Sequence, residues 1–253
     1  MKIDHPSHGN VSTLKELWQE AFEDSAENID LFFETAFDTE HSLCAFDGER
    51  AVAMLYWFDC EYMGERVAYM YAIATAKSHR GRGICRQLMS KAHEILKISG
   101  YACVILVPGE KSLFEFYAKM GYSVFSTVDE KYVISVDSGI SLEKINPREY
   151  GRIRNALLPE NGVMQDGKCL DYLGAYAELY AGEGFLCACE INGDTARIHE
   201  LLGNTEAADG IAYALGCKRG FIRTIGNGRA FSMYLSLDKK DMDTPAYFGL
   251  ALD

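Results

Sequence analysis

The stretch Ser78-His79-Arg80-Gly81-Arg82-Gly83-Ile84-Cys85-Arg86 constrains the fold more than any other part of this chain. It lies between an apolar run that reads as a strand, Val67 to Thr75, and a helical pattern from Gln87 to Leu96. A glycine-rich turn from strand to helix start lets backbone N–H groups point inward, and the helix N-terminus adds about half a positive charge. Arg80, Arg82 and Arg86 supply further cationic partners for an anion. The segment therefore reads as a cradle for a phosphorylated ligand; the plainer alternative is a solvated basic turn.

Spacing narrows the choice of ligand. A Walker-type loop ends in Gly-Lys-Ser/Thr, and no such ending is present. A dinucleotide fingerprint needs a third glycine where this chain has Arg86, too large for close packing of helix on strand. What remains, Arg80-x-x-Gly83-x-Cys85, resembles the Arg/Gln-x-x-Gly-x-Gly/Ala pyrophosphate loop of GCN5-related N-acetyltransferases, with compact Cys85 in place of the last small residue. Downstream, Ala102 to Val107 reads as a buried strand, broken at Pro108-Gly109. Phe116-Tyr117-Ala118-Lys119-Met120-Gly121-Tyr122 then resembles the Phe-Tyr-x-x-x-Gly-Phe signature of that family, with Gly121 suited to a helix C′ position. Upstream, Leu14-x-x-Leu17-Trp18-x-x-x-Phe22 and Ile29-x-x-Phe32-Phe33 are helical stripes similar to the family's two opening helices. The resemblance covers residues 11 to 136 in order.

Whole-chain quantities agree with a globular enzyme. With 253 residues, 48% of them hydrophobic, the chain can bury one large core or two modest ones. No apolar run approaches the ~18 residues of a membrane span, and the start lacks a secretory pattern. A net charge of −12 argues against nucleic acid as partner and is compatible with a cationic acceptor. The acidic residues of the opening helices, Glu16, Glu20, Glu23, Asp24, Glu27, Asp30 and Glu34, read mainly as a solvated face, with one or two in a substrate groove. Eight scattered cysteines suit a reducing cytoplasm, and neither they nor the six histidines form a metal-binding pattern. A homo-oligomer stays open.

Turn signals and periodicity divide the chain at Asp137-Ser138-Gly139. Residues 1–137 read as mixed α/β with strands 42–46, 50–61, 66–75, 101–107, 122–127 and 131–136. Residues 138–253 read as helices 147–158, 170–180 and 205–215 with strands 185–191, 196–202, 220–225 and 231–237. The second order echoes the first, but only Gly203-Asn204 stands where a cradle would be. This layout resembles bacterial tandem acetyltransferases, including those of the enhanced-intracellular-survival type, in which a degenerate second module follows an active one. An unrelated α/β accessory domain is the alternative for this half.

The resemblance implies a largely antiparallel mixed sheet that splays at an acetyl-CoA site. It assigns Ile73, Ala74 and Thr75 to pantetheine, and the backbone of Arg80, Gly81, Arg82, Gly83, Ile84, Cys85 and Arg86 to the pyrophosphate. The expected activity is transfer of acetyl to the amine of a small molecule or peptide by direct attack, with no metal. Tyr117 would act as general acid: an unperturbed phenol lies only roughly 2 kcal/mol above a thiolate leaving group in proton affinity. Tyr69-Met70-Tyr71 holds no carboxylate, and Glu61 and Glu65 look remote, so the base is unassigned and a water chain is expected to serve. Asp253, through a C-terminal carboxylate, is a further candidate. The competing function is a non-catalytic acyl-CoA-binding or regulatory module.

Overall fold

The computed structural model describes residues 1–238, 244 and 246–252. Its elements are β1 (Lys2–Asp4), α1 (Val11–Phe22), α2 (Ala26–Thr35), β2 (Ser42–Asp47), β3 (Arg50–Tyr62), β4 (Glu65–Thr75), α3 (Ile84–Ile98), β5 (Cys103–Leu106), α4 (Lys111–Ala118) and β6 (Ser123–Ile134). They continue as β7 (Glu143–Lys144), α5 (Pro147–Leu157), β8 (Met164–Gln165), α6 (Lys168–Tyr176), β9 (Glu178–Gly182), β10 (Phe185–Asn192), β11 (Thr195–Gly203), α7 (Ala208–Ala214), β12 (Arg219–Ile225) and β13 (Arg229–Ser236). Local chemistry sets many of these limits. Ser25 and Asn146 cap α2 and α5 by accepting from the amides of Asn28 and Glu149, and Pro147 opens α5 where its missing N–H costs nothing.

One mixed sheet carries these elements in the order β1-β2-β3-β4-β5-β13-β6-β12-β11-β10-β9-β7, with β8 paired to the end of β3. The order is nearly symmetrical about its centre. Each half runs through a short edge strand, two helices, three antiparallel strands, a helix and a parallel strand, β5 or β12. The final strands are then exchanged: β6 pairs with β12, and β13 crosses back to lie between β5 and β6. The sheet therefore runs on across the segment at 137–139.

The larger apolar core also spans it, joining Leu14, Trp18, Phe32 and Leu88 to Tyr150, Leu170, Phe231 and Phe248. A smaller core under α7 gathers Cys187, Ile198, Leu201, Ile211 and Ile222. The second half holds a buried polar knot. The Arg154 guanidinium donates to Glu200 at 2.7 and 3.0 Å, and the hydroxyls of Tyr150 and Tyr247 donate to the same carboxylate. Arg154 also donates to the Val163 carbonyl, and Gln165 to that of Leu250. Each nitrogen of the buried guanidinium faces at least one acceptor, as burial of charge requires.

Two element assignments change. The expected strands 122–127 and 131–136 are one strand, β6, because Asp129 and Glu130 pair with Thr224 and Arg223 of β12 rather than turning. The helix expected over 170–180 ends at Tyr176, and Glu178–Gly182 becomes β9 against β10. Among the described residues no helix is long and apolar enough to cross a membrane.

Candidate active site

Parallel pairing of β4 with β5 runs from Val67↔Cys103 to Met70↔Leu106 and stops. Beyond it β4 continues to Thr75, while the other chain turns away at Pro108-Gly109. The backbone of Tyr71 to Thr75 thus has no strand partner on that side. On its other side β4 bulges: Met54 faces Ala74 and Tyr56 faces Tyr71, leaving Ala72 and Ile73 opposite the single residue Leu55, with Ala72 at φ +45°. The parted strands open into a cavity of about 640 Å³ lined by Tyr71, Ala72, Ile73, Leu106, Val107 and Tyr117 among others. Of the three residues expected at pantetheine, Ile73 lines this cavity. Ala74 and Thr75 pair with β3 and carry the strand on to the turn.

At the end of β4 the chain winds into the glycine-rich turn. Gly81 and Gly83 have φ +75° and +76°, and a Cβ on either would project into open space. Gly83 is the residue from which α3 starts. Among the described residues, no backbone amide from Arg80 to Arg86 donates to a protein acceptor; the first that does is that of Gln87, to the Gly83 carbonyl at 3.1 Å. Arg80 Nε braces the turn by donating to the Thr75 carbonyl at 3.0 Å, while Arg82 and Arg86 are exposed. A run of free amides at a helix N-terminus with cations around it fits a diphosphate. Cys85 is half-buried, its thiol pushed up to about 11 by burial, so it packs rather than reacts.

Tyr117 reaches the cavity from α4, packed on Phe116 and Tyr122. Burial drives its phenol well above the ordinary tyrosine range. Full proton release is then further uphill than an exposed phenol would make it, and the group is suited to donating a hydrogen bond. His93 donates to or accepts from Tyr122 at 2.8 Å and is pushed down to about 4 by burial, a structural role.

The far wall was not foreseen. It comes from the second half: Tyr172 and Tyr176 of α6, Glu190 and Asn192 of β10, Arg197 of β11, and Arg229 and Phe231 of β13. Ala251 and Leu252 also line it, and the Leu252 amide donates to the Tyr69 hydroxyl at 3.4 Å. Asp253 lies outside the described residues. Glu61 and Glu65, at the β3–β4 turn, are exposed and line no part of the cavity. No local pattern announced these residues, because the β10–β11 hairpin and β13 reach the cavity only through long-range pairing.

The family model for an acetyltransferase (GNAT) domain matches residues 2–125. No curated protein matches the chain. A GCN5-related N-acetyltransferase from Kribbella flavida has a similar structure, with TM-score 0.69 at 13% identity over 94% of this chain and 71% of that one. Eis1 from Mycobacterium abscessus gives TM-score 0.67 at 12% identity over 94% and 74%. A tandem GNAT protein from the clavulanic acid biosynthesis pathway gives 0.58 at 12% over 95% and 99%. At these identities the likeness is one of fold, and it extends through both halves. With the cradle, the splayed strands and the family match taken together, residues 2–125 form an acetyltransferase (GNAT) domain.

Proposed function

We propose that this protein moves the acetyl group of acetyl-CoA to a primary amine of a small molecule or peptide, by direct attack with both substrates bound. The observation that carries this reading is the unoccupied run of amides from Arg80 to Arg86 at the mouth of the β4–β5 splay. Residues 1–137 hold the cradle and the acid, and residues 138–253 close the acceptor end without a second cradle. Arg82 and Arg86 complement the diphosphate, and the edge of β4 from Tyr71 to Ala74 that faces away from β3 offers pantetheine a strand-like partner.

Acetyl-CoA, when bound, supplies a thioester whose acetyl carbon is the electrophile. An acceptor alkylammonium must first lose a proton, at a cost of about 4.6 kcal/mol at pH 7. A water chain in the cavity carries that proton away, since β4 offers no carboxylate beside Tyr69, Met70 and Tyr71. Tyr117 holds the departing sulfur by donating its hydroxyl hydrogen, which lowers the cost of expelling a thiolate.

Tyr117→Phe is expected to bind CoA with nearly unchanged affinity by calorimetry while turnover falls about tenfold or more. Unchanged turnover removes Tyr117 from the mechanism. Tight CoA binding with no turnover over a broad amine screen leaves an acyl-CoA-binding module instead.

A further inference from the structure

Two carboxylates line the cavity among the described residues, and they come from opposite halves: Asp24, between α1 and α2, and Glu190, on β10. Each meets one donor side chain among the described residues. Trp18 Nε1 donates to Asp24 at 2.7 Å, and His199 Nε2 lies 2.6 Å from Glu190. His199 is buried, and its Nδ1 has no partner. The contact from Nε2 to Glu190 is therefore the ring's one polar contact among the described residues, and it orients the carboxylate. A bulge in β11 accounts for this arrangement: Ala188 faces Glu200 and Cys189 faces Ile198, so His199 and Glu200 both turn inward.

Tyr172 lines the same cavity as the two acids. Its hydroxyl is 3.5 Å from that of Tyr71, and its phenol is raised by burial and further by the charges of both Asp24 and Glu190. Trp18, Phe22 and Tyr176 add aromatic surface to the same space. Carboxylates set among aromatic rings form a site for an organic cation. The opposing charges are Arg229, which shares the Glu130 carboxylate with Arg223, and Arg197, opposite Glu190 in the β10–β11 ladder.

The geometry points to Asp24 and Glu190 as a divided subsite that holds a second positive charge on the acceptor, remote from the nitrogen that reacts. The acceptor class is a diamine or higher amine. This rests on the acetyl-transfer reading above and adds to it the selectivity of the acceptor end.

Three probes of similar length test it with saturating acetyl-CoA: 1,5-diaminopentane, pentylamine and 6-aminohexanoate. The wild type is expected to favour the diamine over the monoamine by about tenfold in kcat/KM, the worth of one charge-assisted contact. Glu190→Gln and Asp24→Asn should each remove most of that preference through KM rather than kcat. CoA calorimetry and urea unfolding of each variant report whether it is folded. A preference that survives both substitutions overturns the inference, as does a wild type that favours 6-aminohexanoate, which would give the subsite to Arg197. Wild-type protein that binds CoA but discriminates among none of the probes overturns this inference alone. Failure of wild type to bind CoA overturns the acetyl-transfer reading beneath it.

Discussion

Gly83 combines two demands at one position, a left-handed backbone at φ +76° and open space where a side chain would stand among free amides. Gly83→Ala should therefore cost about 1–2 kcal/mol by urea denaturation and weaken CoA binding in calorimetry. Cys85 beside it was legible as a small filler, and burial of its thiol agrees. Such residues could be read from sequence because their partners are their neighbours. Asp24 was legible only as one of the opening-helix acids of which one or two would line a groove, and Glu190 not at all, since nothing near it in the chain announces Tyr172 or Trp18. A different surface pair sets a pH dependence. The hydrogen bond from His41 to Asp59, 3.3 Å long, raises the imidazole above its ordinary value and pulls the Asp59 carboxyl down to about 2. A raised histidine contributes fully below its unfolded value near about 6.5, and the contribution is lost as pH rises through the folded value. The aspartate contributes fully above about pH 4 and loses it as pH falls towards its folded value. The urea midpoint of the wild type should therefore drop more between pH 6 and 8 than that of His41→Gln; equal drops would show that the pair does not act.

At the scale of elements, β6 was misread for an instructive reason. Asp129 and Glu130 look like a turn locally, yet Glu130 accepts from Arg223 and Arg229, so the polar pair continues the strand instead of ending it. The end of α6 was overrun because Glu178–Gly182 finds its strand partner in β10, beyond any window of helical periodicity. The helices and the cradle, fixed by local spacing and glycine, fell within a few residues of their expected limits. The knot of Arg154 and Glu200 ties α5 to β11, β8 and the segment 246–252, which also bonds through Ser126 to the Phe248 carbonyl. Glu200→Ala should cost about 3–5 kcal/mol in chemical denaturation, because it strands a buried guanidinium. The double change Arg154→Met, Glu200→Leu should cost much less than the sum of its singles; strict additivity would deny the coupling.

For the molecule as a whole, the order of the first half and its echo in the second were legible, whereas the exchange of β6 and β13 was not. Periodicity marks a strand but not its neighbour. With β13 seated between β5 and β6, and one core running through both halves, chemical unfolding followed by circular dichroism and by tryptophan fluorescence should give coincident single transitions. Two separated transitions would show that the halves are stable alone. The crossing strand also orders events at the ribosome. Ile105 and Leu106 emerge first with a bare flank, and the residues that cover it, Met233 and Tyr234, follow more than a hundred residues later. At about 5–20 residues per second the nascent chain carries an open, adhesive margin for several seconds, so the pocket gains its shape only after β13 has emerged.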